Sequence, residues 1–534
     1  MSERTLPLAT ALVLGSAVGS GAIAEEPLRR VWIPSDRPQM TGLALGRMGF
    51  DIHGCGQAVQ VGGVEIFATI EDVARLDRRG LRPRVLEVGR PFNEIQADLN
   101  AANPEVPSGY PDLDAVLAQM DVFAAAYPTL CQKVDLTAKY AMPPTHEGRS
   151  IYALKISDNA TIDEAEPAVL IVSCHHAREI MTPVIALEAA ERLLDGYGSD
   201  PRITSAVDAR EIWIAPVWNP DGYHHVFTVD GFWRKNRRNN GNGTFGVDLN
   251  RNYPFGWSQC GGSQTTSSDI YEGPSPASEA ETQTMIAFRD DRRFALVGDV
   301  HSFASEVRYG YGCWFHPWDD DLREAARDLS IASGYGGANR SSCCLGGDIH
   351  AHASATGAMA FLWETGTSFQ PSFSTAQSEA AQVWQGLLAL VDRPIPISGR
   401  VTAAGQPIAA SVELVGVGFQ NGEQHGANPR TGLYHVNAPA GMYTVRFEAD
   451  GFEPQEFAVA YTGDPIVLDV SFGPAACGVA DLAFPFGFLD LSDVDAFIAG
   501  FVAGDPLVDL AVPFGFIDLS DVDAFIGAFL GGCP

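Results

Sequence analysis

Between about residue 130 and residue 392, short apolar runs alternate with amphipathic ones, and few folds accommodate that order. "IYALKIS", "AVLIVS", "REIWIAPVWN" and "FALVGDV" are rich in β-branched and aromatic residues and read as strands. "PVIALEAAERLLDGY", "SEAETQTMIAFRDD" and "DLREAARDLSIASGY" carry apolar residues at helical spacing. The alternation predicts an α/β fold with a mixed, largely parallel sheet covered by helices. In such sheets ligands bind beyond the carboxyl ends of the strands. Two polar stretches, "CHHAREI" and "HSF", begin just past apolar strands and are therefore the first candidates for a site.

At 534 residues the chain is long enough for several domains. Its N-terminus has a weak basic start (Arg4), an apolar run from Leu6 to Val18 and a small-x-small site at Ala22–Ala24. Residues 1–24 thus read as a secretory signal peptide, and the mature chain is expected to be exported, with no transmembrane segment. Residues 25–105 read as a small α/β unit built around "VEIFAT", "IEDVARLDRRG" and "PRVLEV", closed by a polar linker. After residue 392 short alternating strands and Gly/Pro turns predict an all-β sandwich over 393–472. In 473–534, "DLAFPFGFLDLSDVDAFIAGF" recurs 28 residues on as "DLAVPFGFIDLSDVDAFIGAF". Val494, Phe497, Ile498 and Phe501, with Val522, Phe525, Ile526 and Phe529, give each copy a helical apolar stripe. The two helices are expected to pack on each other.

A net charge of −31, from 66 acidic and 35 basic residues, leaves no basic footprint for a nucleic-acid partner. The nine cysteines are an odd number. Cys477 with Cys533 is the pairing favoured by position, and Cys313 with Cys343 or Cys344 is a second expectation.

In "CHHAREI", a histidine and a glutamate three residues apart can reach one metal from the start of a helical turn. The pattern is short and occurs by chance, so a third ligand is needed, and His301 in "GDVHSF" offers one. Arginines in "FWRKNRR" and "GVDLNRNYP" could grip a carboxylate or stabilise an oxyanion.

The ordered set HARE … NPDGY … WRKNRR … GVDLNRN … YEGPSPASEAET … HS resembles the zinc carboxypeptidases of the carboxypeptidase A/B type over about residues 110–390. The resemblance implies a catalytic domain at 106–392 with one zinc ion held by His176, Glu179 and His301. Asp248 would orient His176. Arg234 would polarise the scissile carbonyl, Asn250 and Arg251 would hold a terminal carboxylate, and Arg178 would assist. Glu364 in "FLWETG" would be the general base. The implied substrates are peptide or protein C-termini. Where the family has a mobile tyrosine this chain has Ser342, the family's Asp-Trp-x-Tyr is absent, and Ile349, next to Asp348, falls at the floor of the specificity pocket. That departure leaves room for a related zinc hydrolase acting on other amides, a deacylase or a cell-wall peptide amidase. A binding protein with a vestigial metal site is a third alternative, opposed by the complete ligand set.

The N-terminal unit resembles an inhibitory proregion, the β-sandwich a prealbumin-like regulatory domain, and the tail a dockerin-like module. With Gly487 at position 6 of a calcium loop, positions 1, 3 and 5 would be Leu482, Phe484 and Phe486, or Leu510, Val512 and Phe514 in the second copy, which cannot ligate. Calcium is expected to bind the tail weakly or not at all. It would serve either to attach the chain to a surface or secreted partner or as a stabilising appendage.

Overall fold

A computed structural model describes residues 29–48, 50–52, 62–88, 106–342, 345–403, 405–419, 423, 425–473, 480–483, 489–505, 508–511 and 517–532. The proposed signal peptide, Cys343, Cys344, Cys477, Cys533, Phe484, Phe486, Gly487, Val512 and Phe514 lie outside the described residues. The chain divides into two compact units, one ending at Pro394 and including Phe419–Glu423, the other comprising Ile395–Gly418 and Gln424–Pro534.

In the first unit, β1 (Arg29–Pro34), β2 (Asp51–Ile52), β3 (Gly63–Ala68) and β4 (Arg84–Val88) form a sheet in the order β2-β3-β1-β4. Val31, Ile33, Val64, Ile66 and Leu76 make its core. The helix Ile70–Arg78 starts at a capping box between Thr69 and Asp72. The sequence reading missed β1, an inner strand of this sheet, and the helix Pro38–Arg47.

The same unit holds an eight-stranded sheet made of β5 (Cys131–Asp135), β6 (Tyr152–Ile156), β7 (Ala168–Ser173), β8 (Glu211–Ala215), β9 (Leu296–His301), β10 (Glu306–Tyr309), β11 (Asn339–Ser341) and β12 (Met359–Glu364). Their order is β11-β10-β12-β9-β7-β8-β6-β5. The central run β12-β9-β7-β8 is parallel, and β10, β6 and β5 add antiparallel pairings, which gives the mixed sheet the alternation predicts.

β7 is buried at all six positions because helices cover both faces. Leu170 and Val172 meet Met285 and Phe288 of the helix Ala280–Arg292 on one side. On the other face lies the helix Met181–Gly196, which packs against Phe373–Val391. Burial of each of Val169, Leu170, Ile171 and Val172 stabilises the sheet by roughly 1.5–3 kcal/mol. Three parallel strands, β7, β9 and β12, therefore end side by side, with Ser173 opposite Val300 and Glu364 opposite His301.

Cys313 is bonded to Cys260, which corrects the expected pairing with Cys343 or Cys344. The bridge closes 53 residues of chain, a loop worth on the order of 4 kcal/mol in the entropy model. Cys174 is buried and free.

The second unit contains two small sheets. In one, Ile397–Ala403 is flanked by Gln406–Pro407, Leu433–Val436, Ile466–Val467 and Val470–Phe472; the other holds Ser411–Leu414, Gly441–Glu448 and Gln455–Tyr461. The repeat forms two helices, Leu491–Ala503 and Leu519–Gly531, that meet through stacked Phe497 and Phe525 rings 4.2 Å apart. Val494, Phe501, Val522 and Phe529 join that contact. Ile498 and Ile526 do not: they are 54% and 47% exposed, which corrects the wider stripe read from the sequence. A seam between only two helices is narrow and follows an i, i+3, i+7 line, leaving the neighbouring positions outside.

Candidate functional site

The end of β7 sets the site. Cys174 follows the strand at φ 58°, a left-handed conformation uncommon for a non-glycine residue. Beyond this turn both histidines are buried and meet different partners. A short turn, Glu179 N–H to His176 carbonyl at 3.1 Å, then leads into the helix that starts at Met181.

His176 Nδ1 lies 2.8 Å from Glu179 Oε1, and His301 Nδ1 lies 3.0 Å from both His176 Nδ1 and Glu179 Oε2. All three side chains are buried. Two imidazole nitrogens and a carboxylate converging on one point form a donor set that zinc takes. The far side of each imidazole is also held. His176 Nε2 is 3.1 Å from Asp248 Oδ1, and His301 Nε2 is 2.7 Å from Asp299 Oδ2. That arrangement leaves both Nδ1 atoms facing inward. Three carboxylates around two imidazoles suit a divalent cation. Burial by itself raises the Glu179 carboxyl, but the facing His176 and His301 outweigh it and hold it below the usual range. For Asp248, burial is outweighed by Arg234 and then His176.

Arg234 donates to Asp248 Oδ2 from Nη2 at 2.8 Å and from Nε at 3.2 Å, with Nη1 3.9 Å from Glu179 Oε1. Asp248 also caps the short helix Leu249–Arg251 by accepting from the Asn250 N–H. Asn250 accepts the Ile349 N–H through Oδ1 and turns Nδ2 toward Asp299 and His301. Arg251 donates Nε to the Gly261 carbonyl at 2.8 Å. Arg178 pairs with Asp269 at 3.2 Å and lies over the Phe369 ring. Glu364 ends β12, opposite His301 on β9.

The structure thus brings His176, Glu179, His301, Asp248, Arg234 and Asn250 into one connected cluster, with Glu364 on the adjoining strand end. Ser342 is buried with its N–H donated to the Tyr309 carbonyl. Asp348 caps the helix Ile349–Ser354, on which His350 and His352 are buried; His352 Nε2 meets Arg289 at 2.9 Å.

Sequence reasoning missed several partners. Arg308 Nη1 lies 3.1 Å from Glu364 Oε1, while its Nε donates to Glu306 at 2.8 Å. Asp299 and Asp269 were also missed. For Asp299 the text did hold a clue: it stands two residues before His301, on the same strand face. Nothing local points to Arg308, which reaches Glu364 from the neighbouring strand β10.

Residues 116–378 match the family model described as zinc carboxypeptidase. Over 233 residues the chain is 33% identical to carboxypeptidase A2 of Rattus norvegicus, a match covering 42% of this chain and 54% of that protein. Over 265 residues it is 31% identical to a zinc carboxypeptidase of Saccharothrix mutabilis subsp. capreolus, covering 47% and 58%. The chain thus spans a little over half the length of these curated relatives. The crystal structure of carboxypeptidase A from Helicoverpa armigera aligns with a TM-score of 0.52 at 22% identity, over 69% of this chain and 98% of that one. The fold of the first unit is therefore carboxypeptidase-like, and residues 116–378 are the part of the chain that matches the zinc carboxypeptidases.

Proposed function

We propose that this chain is an exported zinc carboxypeptidase that removes C-terminal residues from peptides. The observation that carries this reading is the convergence of His176 Nδ1, Glu179 and His301 Nδ1 at the ends of adjacent parallel strands. The relatives named carboxypeptidase support it. These three residues would hold one zinc ion, which when bound supplies a Lewis acid for carbonyl chemistry.

The chain's own residues do the rest. Asn250 and Arg251 bind the substrate's terminal carboxylate, with Arg178 assisting, and so orient the last peptide bond. Arg234, steadied by Asp248, donates to the scissile carbonyl oxygen as negative charge develops on it. Glu364 accepts the proton of the attacking water on a carboxylate oxygen and passes it to the leaving amine nitrogen. The bond broken is the amide C–N, and the products are a new carboxylate and a free amine.

Residues 1–24 would direct export and 25–105 would act as an inhibitory proregion ahead of the catalytic domain at 106–392. Residues 393–472 would form the prealbumin-like domain, and 473–534 the dockerin-like tail for a surface or secreted partner. Among the described residues no helix is long and apolar enough to cross a membrane. In the tail, Asp493 Oδ1 accepts the Leu482 and Ala483 N–H groups, and Asp521 repeats this with Leu510 and Ala511. Carboxylates occupied by the chain's own amides support a tail that needs no calcium.

The second reading, hydrolysis of another class of amide, draws on Ser342 at the place of the family's tyrosine. One assay separates the two. Matched peptides with free and amidated C-termini are incubated with the protein, with and without a zinc chelator, and released residues are measured. The carboxypeptidase reading expects chelator-sensitive release from the free peptides and little from the amidated ones. Equal hydrolysis of both would favour the second reading, and release indifferent to the chelator would overturn both.

A further inference from the structure

His175 stands beside the metal-binding residues, and the proposed mechanism gives it no task. It is fully buried, and both of its ring nitrogens have partners. Nδ1 is 3.1 Å from Asp299 Oδ1, and Nε2 is 3.0 Å from the Tyr253 hydroxyl. The other oxygen of Asp299 meets His301 Nε2 at 2.7 Å. The His175 and His301 rings stack at 5.8 Å and 14°. One carboxylate is thus shared between a candidate ligand and a histidine from the neighbouring strand end. Its Oδ2 is also 3.4 Å from the Asn250 amide, so the same carboxylate touches the residue assigned to substrate binding.

The directions of these bonds form one consistent chain. The Tyr253 hydroxyl donates to His175 Nε2, His175 Nδ1–H donates to Asp299, and His301 Nε2–H donates to the other oxygen. Only with Nε2 protonated does His301 offer the Nδ1 lone pair to a metal. Asp299 is itself a potential ligand, because His175, Asp299 and His301 also form a group able to hold an ion. A carboxylate tied on one side only could turn and compete with Glu179. Tied on both sides, it can only orient His301.

We infer that His175 is a positioning residue for the metal centre: through Asp299 it fixes the ring of His301 and keeps that carboxylate out of the ligand set. The inference rests on the reading of His176, Glu179 and His301 as the zinc site. It also assigns the group His175, Asp299 and His301 to hydrogen bonding and not to a second ion, since both His175 nitrogens, both Asp299 oxygens and His301 Nε2 already have hydrogen-bond partners, while His301 Nδ1 faces His176 and Glu179 instead.

The test measures zinc stoichiometry and affinity by chelator competition on the full chain, and the visible spectrum of the cobalt-substituted protein. Wild type should bind one zinc at this centre. His175→Leu keeps bulk but removes both ring nitrogens, and should weaken zinc binding roughly 10–100-fold and alter the cobalt spectrum. His175→Asn places an amide N–H near the former Nδ1 and should recover most of the affinity and the wild-type spectrum. A merely structural role would not separate these two variants in this way. Should His175→Leu fail to fold, Tyr253→Phe carries the test, because it removes only the hydroxyl that holds Nε2 and should weaken zinc binding severalfold. Wild-type affinity and spectrum in His175→Leu, or in Tyr253→Phe where it replaces that variant, would overturn the inference, as would equal losses in the leucine and asparagine variants or two zinc ions bound at this centre. A wild type that takes up no zinc would overturn it together with the zinc-site reading.

Discussion

Glu364 pairs its Oε1 with Arg308 and stands opposite His301, beside the candidate metal-binding group of His176, Glu179 and His301 but not within it. If it is the proton carrier, removing its charge should leave the cluster intact. Glu364→Gln is expected to keep wild-type zinc content and an unchanged circular dichroism spectrum. Its turnover should fall by roughly 10²–10⁴-fold. A kcat near that of wild type would show that another group takes the proton. At this scale the sequence was informative where chemistry and spacing coincide. His176 and Glu179 are three residues apart, and His301 closes an apolar strand. It was silent where a contact depends on the pairing of strands distant in sequence. Arg308 meets Glu364 only because β10 runs antiparallel to β12 in the register that sets Glu306 against Glu364. His175 looked like the spare member of a pair because its partners Asp299 and Tyr253 are 124 and 78 residues away.

Among the elements, the two tail helices hold their first-turn carboxylates in hydrogen bonds to the chain's own amides. Asp490 and Asp518 cap them, and Asp493 and Asp521 each complete a capping box while also accepting two N–H groups from the preceding loop. Calorimetry of the full chain should therefore show no calcium-dependent shift of the tail transition. Asp493→Ala should lower the stability of the tail by about 1 kcal/mol, the usual scale for a lost cap. A large upward shift with calcium would mean that these aspartates leave their amides to bind the ion. The helical period of the repeat was legible, but which side of each helix would be covered was not, since Ile498 and Phe497 differ only in what the partner helix can reach. β1 was overlooked for a related reason. Between Arg29–Arg30 and Pro34 it offers three apolar residues, too few to stand out, and its place as an inner strand comes from pairing with both β3 and β4.

For the whole molecule, the βα alternation was enough to foresee a helix-covered, mostly parallel sheet, at whose strand ends the candidate site residues stand. It said nothing of the buried acid pair Glu279 and Glu281. Glu279 accepts from Asn236 Nδ2 at 2.8 Å, and the fully buried Glu281 lies beside the same amide. Burial first, and Glu279 next, push the Glu281 carboxyl up from 4.5 to about 8. Between those two pH values the folded chain binds more protons than the unfolded one, so stability should fall as pH rises through this window. Melting temperatures measured across it should decline less in Glu281→Gln than in wild type; parallel curves would show that Glu281 is not the source. The Cys260–Cys313 bridge bears on a different property, the dependence of the site on its redox surroundings. The candidate metal-binding side chains stand at the ends of β7 and β9, which the bridge does not touch, and the thiol beside them, Cys174, is fully buried. Arg251, in contrast, leans on the carbonyl of Gly261, the residue next to a bridged sulfur. Under the proposed reading, a reducing environment would therefore spare the hydrolytic centre while slackening its hold on the substrate's terminal carboxylate, so that selectivity would be lost before catalysis.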